Sequence, residues 1–188
     1  MSNTKYVYII HGYGASPERH WFPWLQGKLQ SSEVRAAVLS MPEPLTPSCT
    51  AWIHALQQQI TTLTENTYFV AHSLGCITLL TYLQQAHLSG TIGGLLLVSG
   101  FAASLPTLPL LDAFTRTPPD YARICQIAPK RAVLSAHDDP VVPFALSQGL
   151  ARQLHADFFA RTAGGHFLDE TGVITLPPAY DIITAMMR

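Results

Sequence analysis

A short apolar run that ends in a serine between small residues constrains the fold of this chain most strongly. Residues 67–71, Thr-Tyr-Phe-Val-Ala, have the length and the β-branched and aromatic content of a buried strand. After His72-Ser73-Leu74-Gly75 an apolar segment without glycine or proline predicts a helix. A serine at such a junction stands on a sharp turn with its hydroxyl accessible. Ser73 is therefore predicted to be a nucleophile, although a buried helix cap would use the same residues.

The composition favours one domain over residues 1–188, built around a mostly parallel sheet. The chain has 188 residues, which suits a single sizeable core. Charged residues make up only 12% of the sequence, about half the usual share, whereas apolar residues make up 48%. A parallel sheet covered on both faces accounts for this balance, because its strands are apolar on both sides.

Predicted strands and helices alternate along the chain. The predicted strands are residues 5–10, 35–40, 67–71, 93–98, 131–135 and 155–161. The predicted helices are residues 21–30, a segment capped by Ser48 or Thr50 that ends near residue 62, and residues 74–87, 144–154 and 179–188. Residues 101–129 contain five prolines and are predicted to be the least regular part. The alternation predicts about six strands flanked by helices on both faces.

Charge and cysteine content argue against several classes of partner. The net charge is −1 and the basic residues are scattered, so neither nucleic acid nor a membrane surface is an expected partner. The three cysteines, Cys49, Cys76 and Cys125, do not form a disulfide framework pattern. No signal peptide or membrane span is evident, which favours a cytoplasmic location. Eight histidines show no metal-ligand spacing, so no metal and no cofactor is expected.

Two further polar residues complete a catalytic triad with Ser73. Asp139 lies in Asp138-Asp139-Pro140-Val141-Val142-Pro143, directly after a predicted strand, and His166 follows Gly164-Gly165 after the last one. The chain order Ser73, Asp139, His166 is typical of nucleophile-elbow hydrolases. His166 would take and return the serine proton while Asp139 orients it. Asp138 remains the alternative acid, since either carboxylate could end near His166.

Backbone N–H groups near Ser73 are candidates for stabilising an oxyanion. The loop His11-Gly12-Tyr13-Gly14 follows the first strand, and its backbone can turn the Tyr13 N–H toward the anion. The Leu74 N–H opens the helix after Ser73 and is the second predicted donor.

Substrate-pocket residues are harder to assign from the sequence. His11, His72, Trp21 and Phe101 lie near the predicted site along the chain, but each also fits a packing role. Five apolar residues between 101 and 129 could bind an acyl or alkyl group or pack in the core; they are Leu105, Leu108, Leu110, Leu111 and Phe114.

The chain resembles the YdeN-like serine hydrolases, the family that includes the vertebrate retinoblastoma-binding hydrolase. The resemblance runs nearly end to end and rests on His11-Gly12-Tyr13-Gly14, His20-Trp21-Phe22-Pro23-Trp24, Met41-Pro42-Glu43-Pro44, Trp52, His72-Ser73-Leu74-Gly75-Cys76, Leu97-Val98-Ser99-Gly100, Asp138-Asp139-Pro140 and Gly165-His166-Phe167. It implies a compact α/β-hydrolase with no large lid domain and a triad of Ser73, Asp139 and His166. The sequence departs from the family at Ala71, where glycine is usual.

These observations predict a serine hydrolase that cleaves a small carboxylic ester by acyl transfer through Ser73. An amide or peptide substrate on the same triad is one alternative. A protein-binding module that uses the surface of a hydrolase fold is another. The sequence does not indicate a particular protein partner.

Overall fold

The computed structural model describes residues 4–188, which form a six-stranded parallel sheet. The strands are β1 (Lys5–Ile10), β2 (Val34–Leu39), β3 (Thr67–His72), β4 (Gly94–Val98), β5 (Arg131–Ala136) and β6 (Asp157–Arg161). Their order across the sheet is β2-β1-β3-β4-β5-β6, and every neighbouring pair runs parallel. The predicted parallel sheet of about six strands is therefore confirmed.

Helices connect the strands and cover both faces of the sheet. They are α1 (Phe22–Leu29), α2 (Cys49–Gln59), α3 (Leu74–Gln85), α4 (Asp112–Thr115), α5 (Tyr121–Ile127), α6 (Phe144–Gln153) and α7 (Pro177–Met186), with 3-10 turns at Pro109–Leu111 and Asp169–Thr171. Among residues 4–188, no helix is long and apolar enough to cross a membrane.

The hydrophobic core is divided by the sheet into two clusters. Alternate residues of a strand point to opposite faces, so Tyr8 and Ile10 of β1 join one cluster while Val7 and Ile9 join the other. Helices α2, α3, α5 and α6 pack on the first face, and α1 and α7 pack on the second. Burial on both faces explains why so few strand residues are charged.

Several predicted element ends shift by a few residues for local reasons. Helix α2 ends at Gln59 because Ile60 is already extended, and Ser48 precedes it without a side-chain capping bond. Strand β6 begins at Asp157 because His155, with φ of 47°, is in a left-handed turn. Helix α7 begins two residues earlier than predicted, with proline in its first turn, where a missing N–H has no cost.

The segment predicted to be irregular contains more structure than its prolines indicate. The 3-10 turn Pro109–Leu111 runs into α4, and α5 follows. Helix α5 has a capped start, since the Asp120 carboxylate accepts a hydrogen bond from the Arg123 N–H at 2.9 Å. Four of the prolines lie at or before the helical pieces and Pro129 follows α5, so no proline interrupts the interior of a helix.

Candidate active site

Ser73 stands at the junction of β3 and α3 in a strained backbone conformation. Its φ of 54° and ψ of −121° lie in a region that non-glycine residues rarely adopt. The Ser73 N–H is held by the Val98 carbonyl at 2.9 Å, which stabilises the turn from the neighbouring strand. Such strain persists only where the surroundings enforce it, and it is concentrated at functional sites.

Close packing of α3 against β1 explains the glycine two residues after the serine. A Cβ atom at Gly75 would lie 2.6 Å from the His11 carbonyl oxygen and 2.8 Å from that of Ile10. No side chain fits at these distances. Ala71, on the other side of the turn, is fully buried and tolerated in the core.

A continuous chain of hydrogen bonds joins the three predicted triad residues. The Ser73 Oγ lies 2.9 Å from His166 Nε2. His166 Nδ1 lies 2.8 Å and 3.0 Å from the two carboxylate oxygens of Asp139. Ser73 and His166 are only 4% and 5% exposed, and Asp139 is 9% exposed. The three side chains follow β3, β5 and β6, whose carboxyl ends meet at the same edge of the sheet.

The environment of Asp139 keeps its carboxylate ionised. Burial by itself would raise the pKa of Asp139, but hydrogen bonds from His166 and from the N–H groups of Val142 and Val141 outweigh it and lower the pKa. An ionised carboxylate only accepts hydrogen bonds, so His166 Nδ1 must donate. His166 Nε2 then carries the lone pair that faces the Ser73 hydroxyl, as a general base requires.

Asp138 does not reach His166 and instead connects two loops. Its carboxylate accepts hydrogen bonds from the N–H groups of Gly165, at 2.8 Å, and Gly164, at 3.3 Å. Gly164 has a φ of 148°, and a Cβ there would lie 2.5 Å from the Phe167 ring, so only glycine fits. Asp138 therefore fixes the loop that carries His166.

The two predicted oxyanion donors lie beside Ser73. Leu74 is the first residue of α3, and Tyr13 lies in the wall of a cavity beside Ser73. Neither N–H donates a hydrogen bond to another residue within 4–188. Two free donors at this place are available to a developing negative charge, and their role stays a prediction.

A cavity of about 280 Å³ opens beside Ser73 and His166. Its other lining residues are Tyr13, Thr107, Leu108, Pro140, Val141 and Leu168. The Thr107 hydroxyl donates a hydrogen bond to the Val141 carbonyl at 2.6 Å, which holds the residue 101–111 segment against the loop of Asp139. The walls are mostly apolar.

The four residues predicted as pocket candidates lie elsewhere. Trp21 and Phe101 are fully buried in the two core clusters. His11 is buried too; its Nδ1 donates to the Gly12 carbonyl at 2.9 Å and its Nε2 accepts from the Met41 N–H at 3.0 Å. His72 lies behind His166. None of the four lines the cavity beside Ser73, because each side chain turns inward from the loop or strand that carries it.

The apolar residues of the 101–129 segment divide between core and cavity. Leu105, Leu111 and Phe114 are buried in the core, as one of the two alternatives held. Leu108 lines the cavity, whereas Leu110 is 53% exposed and lies outside it.

His72 supports His166 in a way that the sequence did not indicate. Its Nε2 donates a hydrogen bond to the His166 backbone carbonyl at 2.9 Å, and the two rings lie 4.8 Å apart between centroids. Burial, followed by repulsion from His166, holds the pKa of His72 well below its usual value, so the ring is neutral. His72 is a positioning residue that fixes the backbone of His166 from behind.

Replacing His72 with phenylalanine should lower kcat for the predicted ester hydrolysis about 10- to 100-fold, with little change in KM. The reason is that the His166 backbone carbonyl loses the hydrogen bond that positions it. The Phe ring keeps the contacts with Trp21 and Phe22, whose ring centroids lie 5.8 Å and 5.7 Å from that of His72. His72→Gln, whose amide can donate at the same place, should recover most of kcat. Steady-state kinetics of both variants provide the test, and a Phe variant with unchanged kcat would refute the role.

One cluster near the site has the residue types of a metal centre. His20, Asp169 and Glu170 lie together, and in the described part of the chain they form the single such group. Arg19 donates to both carboxylates, with Nε 2.7 Å from Asp169. The guanidinium occupies the oxygens that a metal would need, and the cluster is an ion-pair network joining the loops after β1 and β6.

Comparison with known proteins agrees with this geometry. A family model described as serine hydrolase matches residues 7–185. YdeN of Bacillus subtilis (strain 168) is 48% identical over 182 residues, covering 97% of this chain and 96% of that protein. The crystal structure of the B. subtilis ydeN gene product superimposes with a TM-score of 0.95 at 48% identity, covering 97% and 98% of the two chains.

A distant structure supports the fold alone. The lipase-esterase related protein from Clostridium acetobutylicum is 12% identical, with a TM-score of 0.73 and coverage of 99% of this chain and 96% of that one. The sheet order, the serine at the β3–α3 turn and the near-complete family match lead to one conclusion. The chain belongs to the serine hydrolase family and has a compact α/β-hydrolase fold.

Proposed function

We propose that this protein is a carboxylesterase in which Ser73, His166 and Asp139 form the catalytic triad. The observation that carries the proposal is the unbroken hydrogen-bond chain from Ser73 Oγ through the imidazole to the Asp139 carboxylate. All three side chains are nearly buried, where charge stabilisation is stronger than in water.

The proposed reaction proceeds in two acyl transfers. Ser73 Oγ attacks the ester carbonyl while His166 Nε2 takes its proton, and the Tyr13 and Leu74 N–H groups stabilise the oxyanion. The protonated imidazole then gives its proton to the departing alcohol, which leaves Ser73 acylated. In the second transfer, water attacks the acyl carbonyl carbon while His166 Nε2 takes its proton. The acyl–serine bond then breaks, His166 returns that proton to Ser73 Oγ, and the carboxylic acid is released.

The cavity beside Ser73 favours a small, uncharged acyl or alkyl group. Its volume of about 280 Å³ is at the low end for ligand sites. Leu108, Pro140, Val141 and Leu168 supply apolar walls, and no aspartate, glutamate, lysine or arginine is among the lining residues. A charged acyl group would lose its hydration here without gaining a partner.

A series of p-nitrophenyl esters tests this function. From acetate through butyrate and hexanoate, each methylene buried should contribute about 0.8 kcal/mol, or about a fourfold rise in kcat/KM. The rise should stop once the cavity is full. The matching p-nitroanilides test amide cleavage, and faster cleavage of the anilide than of the ester would favour the amidase alternative. Absence of turnover on every ester would contradict the proposal.

Two leucines on one segment offer a matched pair of variants. Leu108→Asp places a carboxylate in the cavity wall and should lower kcat/KM for the hexanoate about tenfold or more, with a smaller effect on the acetate. Leu110→Asp makes the same change at an exposed position outside the cavity and should leave both values unchanged. Equal losses in the two variants, or equal losses on both esters, would show that the cavity does not bind the acyl chain.

A further inference from the structure

Strand β6 ends the sheet with an unpaired edge. It is hydrogen-bonded to β5 on one side and to no other strand of the described chain. The Arg161 carbonyl accepts from the His137 N–H at 2.9 Å, so Arg161 directs its backbone groups toward β5. The backbone groups of successive residues in a strand point alternately to its two sides. The N–H and C=O groups of Phe158 and Ala160 therefore point away from β5, toward the open side of the sheet. They form a short row of free donors and acceptors.

The sequence of β6 is complementary to itself in the antiparallel direction. The strand reads Asp157-Phe158-Phe159-Ala160-Arg161. If two copies meet about a two-fold axis at Phe159, Asp157 of one lies directly opposite Arg161 of the other, on the same face. Neither charge has an ion-pair partner within residues 4–188. The side chains that such a pairing would neutralise are thus otherwise unpaired.

The exposed side chains of β6 also indicate that another chain covers this edge of the sheet. Phe159 is 42% exposed, and it borders a hollow of about 380 Å³ whose wall includes Ile182 and Met186 of α7. Monomeric proteins usually protect an edge with lysine, proline or a bulge. Strand β6 has neither lysine nor proline, and it pairs in unbroken register with β5 from Asp157 to Arg161.

We propose that two copies of this chain associate through β6 to form a continuous twelve-stranded sheet. The outward groups of Phe158 bond to the partner's Ala160, and the reverse pair follows by symmetry, giving four backbone hydrogen bonds. Phe159 meets the partner's Phe159 as the close, non-hydrogen-bonded pair. Asp157 pairs with the partner's Arg161 twice, as a two-fold interface requires.

The antiparallel arrangement leaves both catalytic sites open. The strands of the two copies run in opposite directions, so their carboxyl edges lie at opposite ends of the extended sheet. Ser73 follows β3, which β4 and β5 separate from the interface strand β6 in each copy. The dimer is thus independent of the proposed esterase function, and esterase activity should not require it.

Light scattering coupled to size-exclusion chromatography tests the pairing over a concentration series. The wild-type chain should reach twice its 20.6 kDa mass. Arg161→Asp places two carboxylates opposite each other and should give a monomer. The double variant Asp157→Arg/Arg161→Asp exchanges the charges, restores opposite-charge pairs and should dimerise again. If the double variant dimerises again, misfolding cannot be the reason why Arg161→Asp is monomeric.

Arg116→Asp is the control, since Arg116 is an exposed arginine outside β6 and its reversal should leave the dimer intact. A wild-type chain that stays monomeric at every concentration would overturn the proposal. A dimer that survives Arg161→Asp, or a double variant that stays monomeric, would also overturn it, because either result shows that Asp157 and Arg161 do not face each other.

Discussion

Replacing Ser73 with alanine should lower kcat for ester hydrolysis by about 10⁶-fold. In the proposed reaction this hydroxyl forms the acyl bond, and no other serine of residues 4–188 lines the cavity. The remaining N–H donors and the cavity would still bind ester, so KM should change far less than kcat. The measurement is steady-state hydrolysis of p-nitrophenyl butyrate by freshly purified wild type and variant.

Ser99→Ala is a matched control for this experiment. Ser99 also ends a central strand, is fully buried and has a positive φ of 48°. Its hydroxyl has no hydrogen-bond partner within the described residues. Its loss should leave activity unchanged. An equal loss of kcat in both variants would indicate a general effect on the turns at the strand ends. It would argue against a nucleophilic role for Ser73.

Replacing Asp139 with asparagine should lower kcat by about 10⁴-fold. The asparagine side chain has the same shape, but it lacks the charge that requires His166 Nδ1 to donate. The imidazole can then present a proton toward Ser73 and lose its function as a base. Because the Val141 and Val142 N–H groups can still bond to the amide oxygen, the loop should keep its conformation.

The neighbouring carboxylate provides the comparison. Asp138→Asn keeps an oxygen that can accept from Gly165 and Gly164, so its effect on kcat should be less than about tenfold. Circular dichroism would show that both variants remain folded. If Asp138→Asn caused the larger loss, the acid of the triad would be assigned to the wrong residue.

The parts of the structure that repeat along the chain were predictable from the sequence. Strands such as β3 and β4 are short apolar runs, and their alternation with helices predicts a parallel sheet. The positions of Ser73, Asp139 and His166 follow from the same pattern, since each comes directly after a strand and parallel strands end at one edge. Their hydrogen-bonded contact agrees with that expectation.

Side-chain direction could not be read from the sequence. Four residues lie near the site along the chain but point into the core: His11, His72, Trp21 and Phe101. Packing against residues on other strands and helices determines these side-chain directions. The cavity residues Leu108 and Leu168 come from loops whose paths depend on distant contacts, such as the Thr107 bond to Val141. The support of His166 by His72 depends on one carbonyl group 94 residues away, which no local pattern encodes.

Labelling with a fluorophosphonate tests the central claim most directly, because the probe bonds only to an activated serine. We expect peptide mass spectrometry to find one adduct, on Ser73, in the wild-type chain at neutral pH. We expect no adduct in Ser73→Ala and much slower labelling in His166→Ala. A wild-type chain that remains unlabelled, or an adduct on a different residue that persists in Ser73→Ala, would contradict the assignment of Ser73 as the nucleophile of this protein.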